Sequence, residues 1–94
     1  MLTLTGPAVE AIRILTTQPG LPSETGLRIA PEGGDGGSLT LSVCDGPKSG
    51  DEIIQAAGVR VFVEQDAVVM LEDKSLDAEV DEQGVIFRLG MQPR

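Results

Sequence analysis

The stretch from Gly26 to Cys44 constrains this chain more than any other, because two alternating apolar/polar runs flank a glycine-dense loop. Leu27 and Ile29 share one face of the first run, and Leu39, Leu41 and Val43 share one face of the second, the two-residue period of half-buried strands. Between them stand Gly33, Gly34, Gly36 and Gly37, four glycines in five positions, where the missing β-carbon opens positive φ and lets the backbone approach another surface closely. The pattern predicts strand, loop, strand. The loop Gly33, Gly34, Asp35, Gly36, Gly37 is the first candidate site.

Ahead of this unit, Thr5-Gly-Pro7 precedes Ala8, Ala11, Ile12 and Leu15 at helical spacing, which predicts a capped helix at about 7–18, ended by Pro19-Gly20, with Met1–Leu4 as an extended lead-in. After Cys44, the turn residues of Asp45–Asp51 end the second strand. Glu52–Ala56 is a short apolar piece and Ala57-Gly58 a turn. Val59, Val61 and Val63 mark a half-buried strand whose other face carries Arg60, Phe62 and Glu64. Ala67, Val68 and Leu71 space as a short helix at 65–71. The alternations at Leu76–Val80 and Val85–Leu89 predict a hairpin across the four-residue loop Asp81-Glu82-Gln83-Gly84. The expected fold is mainly β, a β-rich α+β single domain over residues 1–94, with an N-terminal helix and a second short helix on its surface.

A net charge of −8, from 15 acidic and 7 basic residues without histidine, repels phosphate backbones and anionic lipid, so nucleic acid is excluded as a partner. No apolar run approaches the roughly 20 residues that cross a bilayer, and no charged-then-apolar leader opens the chain, so neither a membrane nor secretion is expected. The one cysteine, Cys44, fits a reducing, cytoplasmic setting. Only two aromatics, Phe62 and Phe87, are present, so the core must be aliphatic.

The glycine loop does not read as a phosphate cradle, because it feeds an alternating strand rather than a helix N-terminus. Glu32, Asp35, Asp45 and Asp51 lack EF-hand spacing and read as solvated loop carboxylates. Asp77, Glu79 and Asp81 read as a charged strand edge. Cys44 is out of phase with Leu39, Leu41 and Val43 and falls with Thr40 and Ser42. Without histidine, neither a Cys–His pair, a serine triad nor the usual zinc enzyme site can be assembled, so no enzyme is expected.

The order of these features resembles the HesB/IscA family, the A-type carriers of iron–sulfur assembly. The resemblance rests on Leu4-Thr5 with Ala8 and Ile12, Gly26-Leu27-Arg28, the Gly33–Gly37 loop, Gly58 before Val59–Glu64, Leu71, Leu76-Asp77, and Gly84-Val85-Ile86-Phe87. It implies a compact sandwich or pseudobarrel of short mixed strands, and a site built from three cysteines, one in the glycine loop and two in a C-terminal Cys-Gly-Cys. Here the loop cysteine is replaced by Asp35, by motif, or by Gly36, by counting from Gly26. Gly90–Arg94 stand where the C-terminal pair would be sought.

Clusters are mostly held by four thiolates, and two copies of this chain supply two, so no cofactor is expected. Three readings stay open. The first is a non-catalytic accessory or binding protein with a degenerate ligand site; the second, a genuine iron or iron–sulfur carrier using Asp35, Cys44 and partner thiols; the third, an interaction module unrelated to iron. The resemblance implies iron–sulfur assembly proteins as partners and a homodimer.

Overall fold

A computed structural model describes residues 2–31 and 39–91. The chain opens with a two-residue strand, β1 (Thr3–Leu4), and passes directly into helix α1 (Gly6–Thr16). Thr5 caps that helix: its hydroxyl accepts from the Ala8 amide at 3.2 Å and donates to Asp77 Oδ1 at 2.7 Å, which joins the helix start to a distant strand. Ala8, Ala11, Ile12 and Thr16 form the buried face, and the helix stops two residues before the expected end, where the Thr17 amide and hydroxyl both bind the Arg13 carbonyl.

The glycine-loop unit forms as the alternation requires. Strands β2 (Gly26–Pro31) and β3 (Leu39–Cys44) pair antiparallel from Gly26 with Cys44 to Pro31 with Leu39. Glu52–Ala56 is strand β4, and it turns through Ala57-Gly58 into β5 (Val59–Val63), which lies parallel to β2. The sheet order is β3-β2-β5-β4. Helix α2 (Gln65–Leu71) follows, then strands β6 (Lys74–Asp81) and β7 (Gly84–Met91), and the second sheet has the order β1-β6-β7. The core lies between these mixed sheets and the two helices, formed by Ile12, Leu27, Ile29, Val61, Val63, Leu71 and Leu76 with smaller residues around them. This is the expected β-rich α+β architecture.

The hairpin loop is shorter than the sequence suggests: Asp81 and Gly84 are a paired rung, leaving two residues in the turn, with the Gln83 amide bound to Asp81 Oδ1 at 2.8 Å and Gly84 at φ 133°. Asp77, Glu79 and Asp81 lie on β6 past its pairing with β1, which ends at Leu76, so they line an edge as their pattern suggested; Asp77 also accepts from the Thr5 hydroxyl, and Glu79 pairs with Arg88 across the hairpin.

The β4–β5 turn holds Ala57 at φ 50° and Gly58 at φ 85°, the doubly left-handed form that suits the strand twist and favours Asn-Gly. Alanine is a poor first residue there, since the left-handed region costs an L-residue about 1–2 kcal/mol. Ala57→Asn is therefore expected to raise stability by about 0.5–1 kcal/mol, and a thermal midpoint at or below that of the parent would refute it. The carbonyl of residue 57, which accepts from Arg13 Nη2 at 2.6 Å, is backbone and survives the change.

Candidate functional site

Register divides the larger sheet into two faces. Leu27, Ile29, Val61 and Val63 point into the core, while Arg28, Ser42, Cys44 and Phe62 share the outer face. The sequence reading put Phe62 on a polar side, but it is fully buried. Its strand is internal, and Gly26 lies beneath its ring: a β-carbon there would stand 2.8 Å from Phe62 Cε2 and 2.7 Å from the Arg60 carbonyl. A period-2 pattern assigns faces but does not say whether a face is covered.

Arg28 and Asp51 occupy the same outer face. Arg28 Nε donates to Asp51 Oδ2 at 3.0 Å and Nη2 to Oδ1 at 3.1 Å, and the Lys48 amide reaches Oδ2 at 2.9 Å. The Asp51 side chain is 1% exposed, so the solvated-loop reading of this residue is wrong. The Arg28 guanidinium, then the Lys48 amide, hold its carboxyl below the ordinary range against the opposing effect of burial, and Asp51 in turn raises Arg28. The pair ties the turn after β3 to β2. Twenty-three positions separate the partners, and no local pattern announces such a contact.

Cys44 lies at the last position of β3, half-buried, in phase with Thr40 and Ser42 as its spacing indicated, its Sγ 3.8 Å from Ser42 Oγ. The loop candidates Gly33, Gly34, Asp35, Gly36 and Gly37 lie outside the described residues. At the other end of β3 an open cleft of about 230 Å³ separates it from the β6–β7 hairpin, lined by Leu39, Leu41, Leu76, Phe87, Arg88 and Leu89. Leu39, the first described residue after the glycine loop in sequence, and Leu89, near the C-terminal end of β7, line the same cleft. Cys44 is not among its lining. It is roughly 17 Å along the strand from Leu39 and faces the opposite side of the sheet.

No family model matches the chain. In sequence it is 34% identical over 91 residues to "Uncharacterized protein y4vC" of Sinorhizobium fredii, covering 93% of this chain and 85% of the relative. In structure it superposes on Escherichia coli SufA, a protein involved in biosynthesis of iron–sulfur clusters, with TM-score 0.76, 26% identity and coverage of 96% of this chain and 84% of the other. IscA with a [2Fe–2S] cluster matches with TM-score 0.72 and 23% identity over 97% of this chain and 85% of that one. A protein of Aquifex aeolicus gives TM-score 0.73 and 25% identity, covering 95% and 89%. The chain belongs to one family with y4vC and has the HesB/IscA-like fold.

In this HesB/IscA-like domain the described residues offer a cluster one thiolate, Cys44. The chain has one thiol and no histidine, and among the described residues no group of three or more Cys, Asp or Glu converges on a point. A cluster needs about four ligands, mostly thiolates, and the one thiol is on the wrong face and at the wrong end of β3 to serve the cleft. Among the described residues no helix is long and apolar enough to cross a membrane. What the arrangement offers is packing surface, in the form of an apolar cleft and a clamped sheet face.

Proposed function

We propose that this protein is a non-catalytic accessory or binding protein of iron–sulfur assembly, working in the cytoplasm, that keeps the A-type carrier fold without the carrier's cluster site. The observation that carries the reading is the pairing of a fold shared with SufA and IscA with a single thiol set apart from the cleft. The fold supports a partner surface of the same process, and the donor set supports the loss of metal. The chain has no histidine, so neither a Cys–His pair nor a serine triad can be assembled, which supports a binding rather than a chemical role.

Protein purified without oxygen, or incubated with ferrous iron, sulfide and a thiol reductant, is expected to retain no chromatographically stable cluster. Cys44→Ser should behave as the parent does. A stoichiometric brown species with visible absorption and matching iron and sulfide content would overturn the reading, and its loss in Cys44→Ser would make the protein a carrier with unconventional ligands. Association with an assembly protein, measured by titration calorimetry against a purified carrier or scaffold, separates the accessory role from a function unrelated to iron.

A further inference from the structure

Helix α2 buries Ala67 and Leu71 and turns Val69 the other way, 75% exposed, the most exposed large apolar residue among those described, with Met70 beside it at 36%. Nothing local asks for valine there. A β-branched side chain loses rotamer freedom in a helix, and lysine, glutamate or alanine would hold an exposed position better. The apolar surface runs on past half-buried Val68 into a small hollow between α2 and β4, where Leu2 and Ile54 stand with the carboxylate of Glu52. Carboxylates border it: from Glu64 to Asp73 there are four, with no lysine or arginine between them, and the next base, Lys74, is bound to Asp73. Asp66 and Glu72 each stand three positions from Val69, and Glu72 keeps helical backbone. The three therefore form one line along the side of the helix away from the core, about 9 Å from end to end.

We propose that this face docks a basic amphipathic helix of a partner protein, one that presents a lysine or arginine, an apolar residue and a second lysine or arginine on successive turns. The proposal rests on the reading of the chain as a binding protein and names the chemistry of what it binds. The apolar and acidic features select together. A neutral apolar surface accepts any apolar partner, but carboxylates at both ends of the line repel an acidic segment and attract a basic one. Apolar contact at the centre shuts water away from the flanking charges, so the pairs formed there are screened less than on open surface. A helix suits the spacing, because one helical turn of about 5.4 Å lies close to the steps of about 4.5 Å from Asp66 to Val69 and from Val69 to Glu72. The occupant is another protein: this chain's own longer helix, α1, carries one base, Arg13, which is already joined to Glu10 and to the Ala57 carbonyl.

The probe is an alanine-based helical peptide with Lys-x-x-Leu-x-x-Lys at its centre, titrated into the isotopically labelled full chain and followed by amide chemical shifts. The amides of Val68, Val69, Met70 and Glu72 are expected to move most, and Val69→Lys should weaken binding at least about tenfold. Lysine is the better helix former at this exposed position, so circular dichroism should remain that of the parent. Ile86→Lys makes the same change of net charge at a 50% exposed position of β7 and should leave binding unchanged. Peptides with glutamate in place of lysine, or serine in place of leucine, should not bind this face. A parent whose α2 amides do not shift, a Val69→Lys variant that binds as the parent does, or a leucine-free peptide that binds equally well would each overturn the proposal. Calorimetry of parent and Val69→Lys against a purified assembly carrier or scaffold tests the reading beneath it. An assembly protein that binds both alike would overturn the docking face, whereas one that binds neither, with the peptide still bound at α2, would refute the link to iron–sulfur assembly and leave the face standing.

Discussion

Gly26→Ala is expected to lower the unfolding free energy by about 3 kcal/mol, near the upper end for overpacking, although it adds one methyl group. Gly26 pairs with Cys44 on one side, and on the other its β-carbon would meet the Arg60 carbonyl at 2.7 Å and Phe62 Cε2 and Cζ at 2.8 Å. Neither obstacle yields easily. The carbonyl is backbone of β5, held between β2 and β4, and the phenyl ring is fully buried. A domain of this size has about 5–14 kcal/mol in total, so the change removes a large fraction of its stability and should lower the thermal midpoint by about 12–24 °C. Phe62→Leu removes the ring contact, so in a double-mutant cycle Gly26→Ala should cost less in that background, with a coupling of about 1 kcal/mol or more. A Gly26→Ala midpoint within about 2 °C of the parent, or strict additivity with Phe62→Leu, would show that the contact does not constrain the sheet.

Asp51→Asn is the second large effect, with an expected loss of about 2–3 kcal/mol at neutral pH. Removing one partner of a fully buried pair costs about 3–5 kcal/mol, and the lower figure allows for solvent reaching Arg28, whose side chain keeps 14% exposure. The amide gives up one acceptor oxygen and turns a donor toward the guanidinium or the Lys48 amide. Because hydrogen bonding, first to Arg28, lowers the native carboxyl below its ordinary value near 3.8, the unfolded chain takes up the proton more readily. The stabilisation is thus fully present above about pH 4 and is lost as pH falls through the lowered native value. Asp73, held down by Lys74, and Asp77, held down by the Thr5 hydroxyl, shift in the same direction and leave the variant a residual acid slope. Urea unfolding at neutral and acid pH should show the parent and Asp51→Asn converging in acid. Curves that stay parallel, or a neutral loss below about 0.5 kcal/mol, would mean the clamp contributes little. Arg28→Met/Asp51→Leu should cost less than Asp51→Asn, since it leaves no buried charge alone.

Both effects involve residues whose roles are set across the sheet. Periodicity placed Val59, Val61 and Val63 on a single face because side chains alternate along any strand. It left Phe62 with Arg60 and Glu64, since alternation is blind to the strand's place in the sheet. On this inner strand the Phe62 ring lies against Gly26 of β2 and is buried on the second face. Asp51 had the same history, a carboxylate in a glycine-rich turn until the turn folded back onto Arg28.

The sequence by itself determined the elements whose causes are local. Thr5 starts α1 because its hydroxyl meets an amide three residues on, and Ala57-Gly58 turns because glycine accepts positive φ. The alternations on either side of residues 32–38 form the β2–β3 pair because their apolar residues share one face. The count of cysteines, a property of composition alone, set the donor set at one thiol. Only the tertiary structure decided the sheet order β3-β2-β5-β4, and with it that β5 is an inner strand whose Phe62 is buried on the outer face. It also brought Leu39 and Leu89 to one cleft and left Cys44 on the opposite side of the sheet. These relations join residues tens of positions apart, and they are fixed by which surfaces can be buried together rather than by the preferences of any single segment.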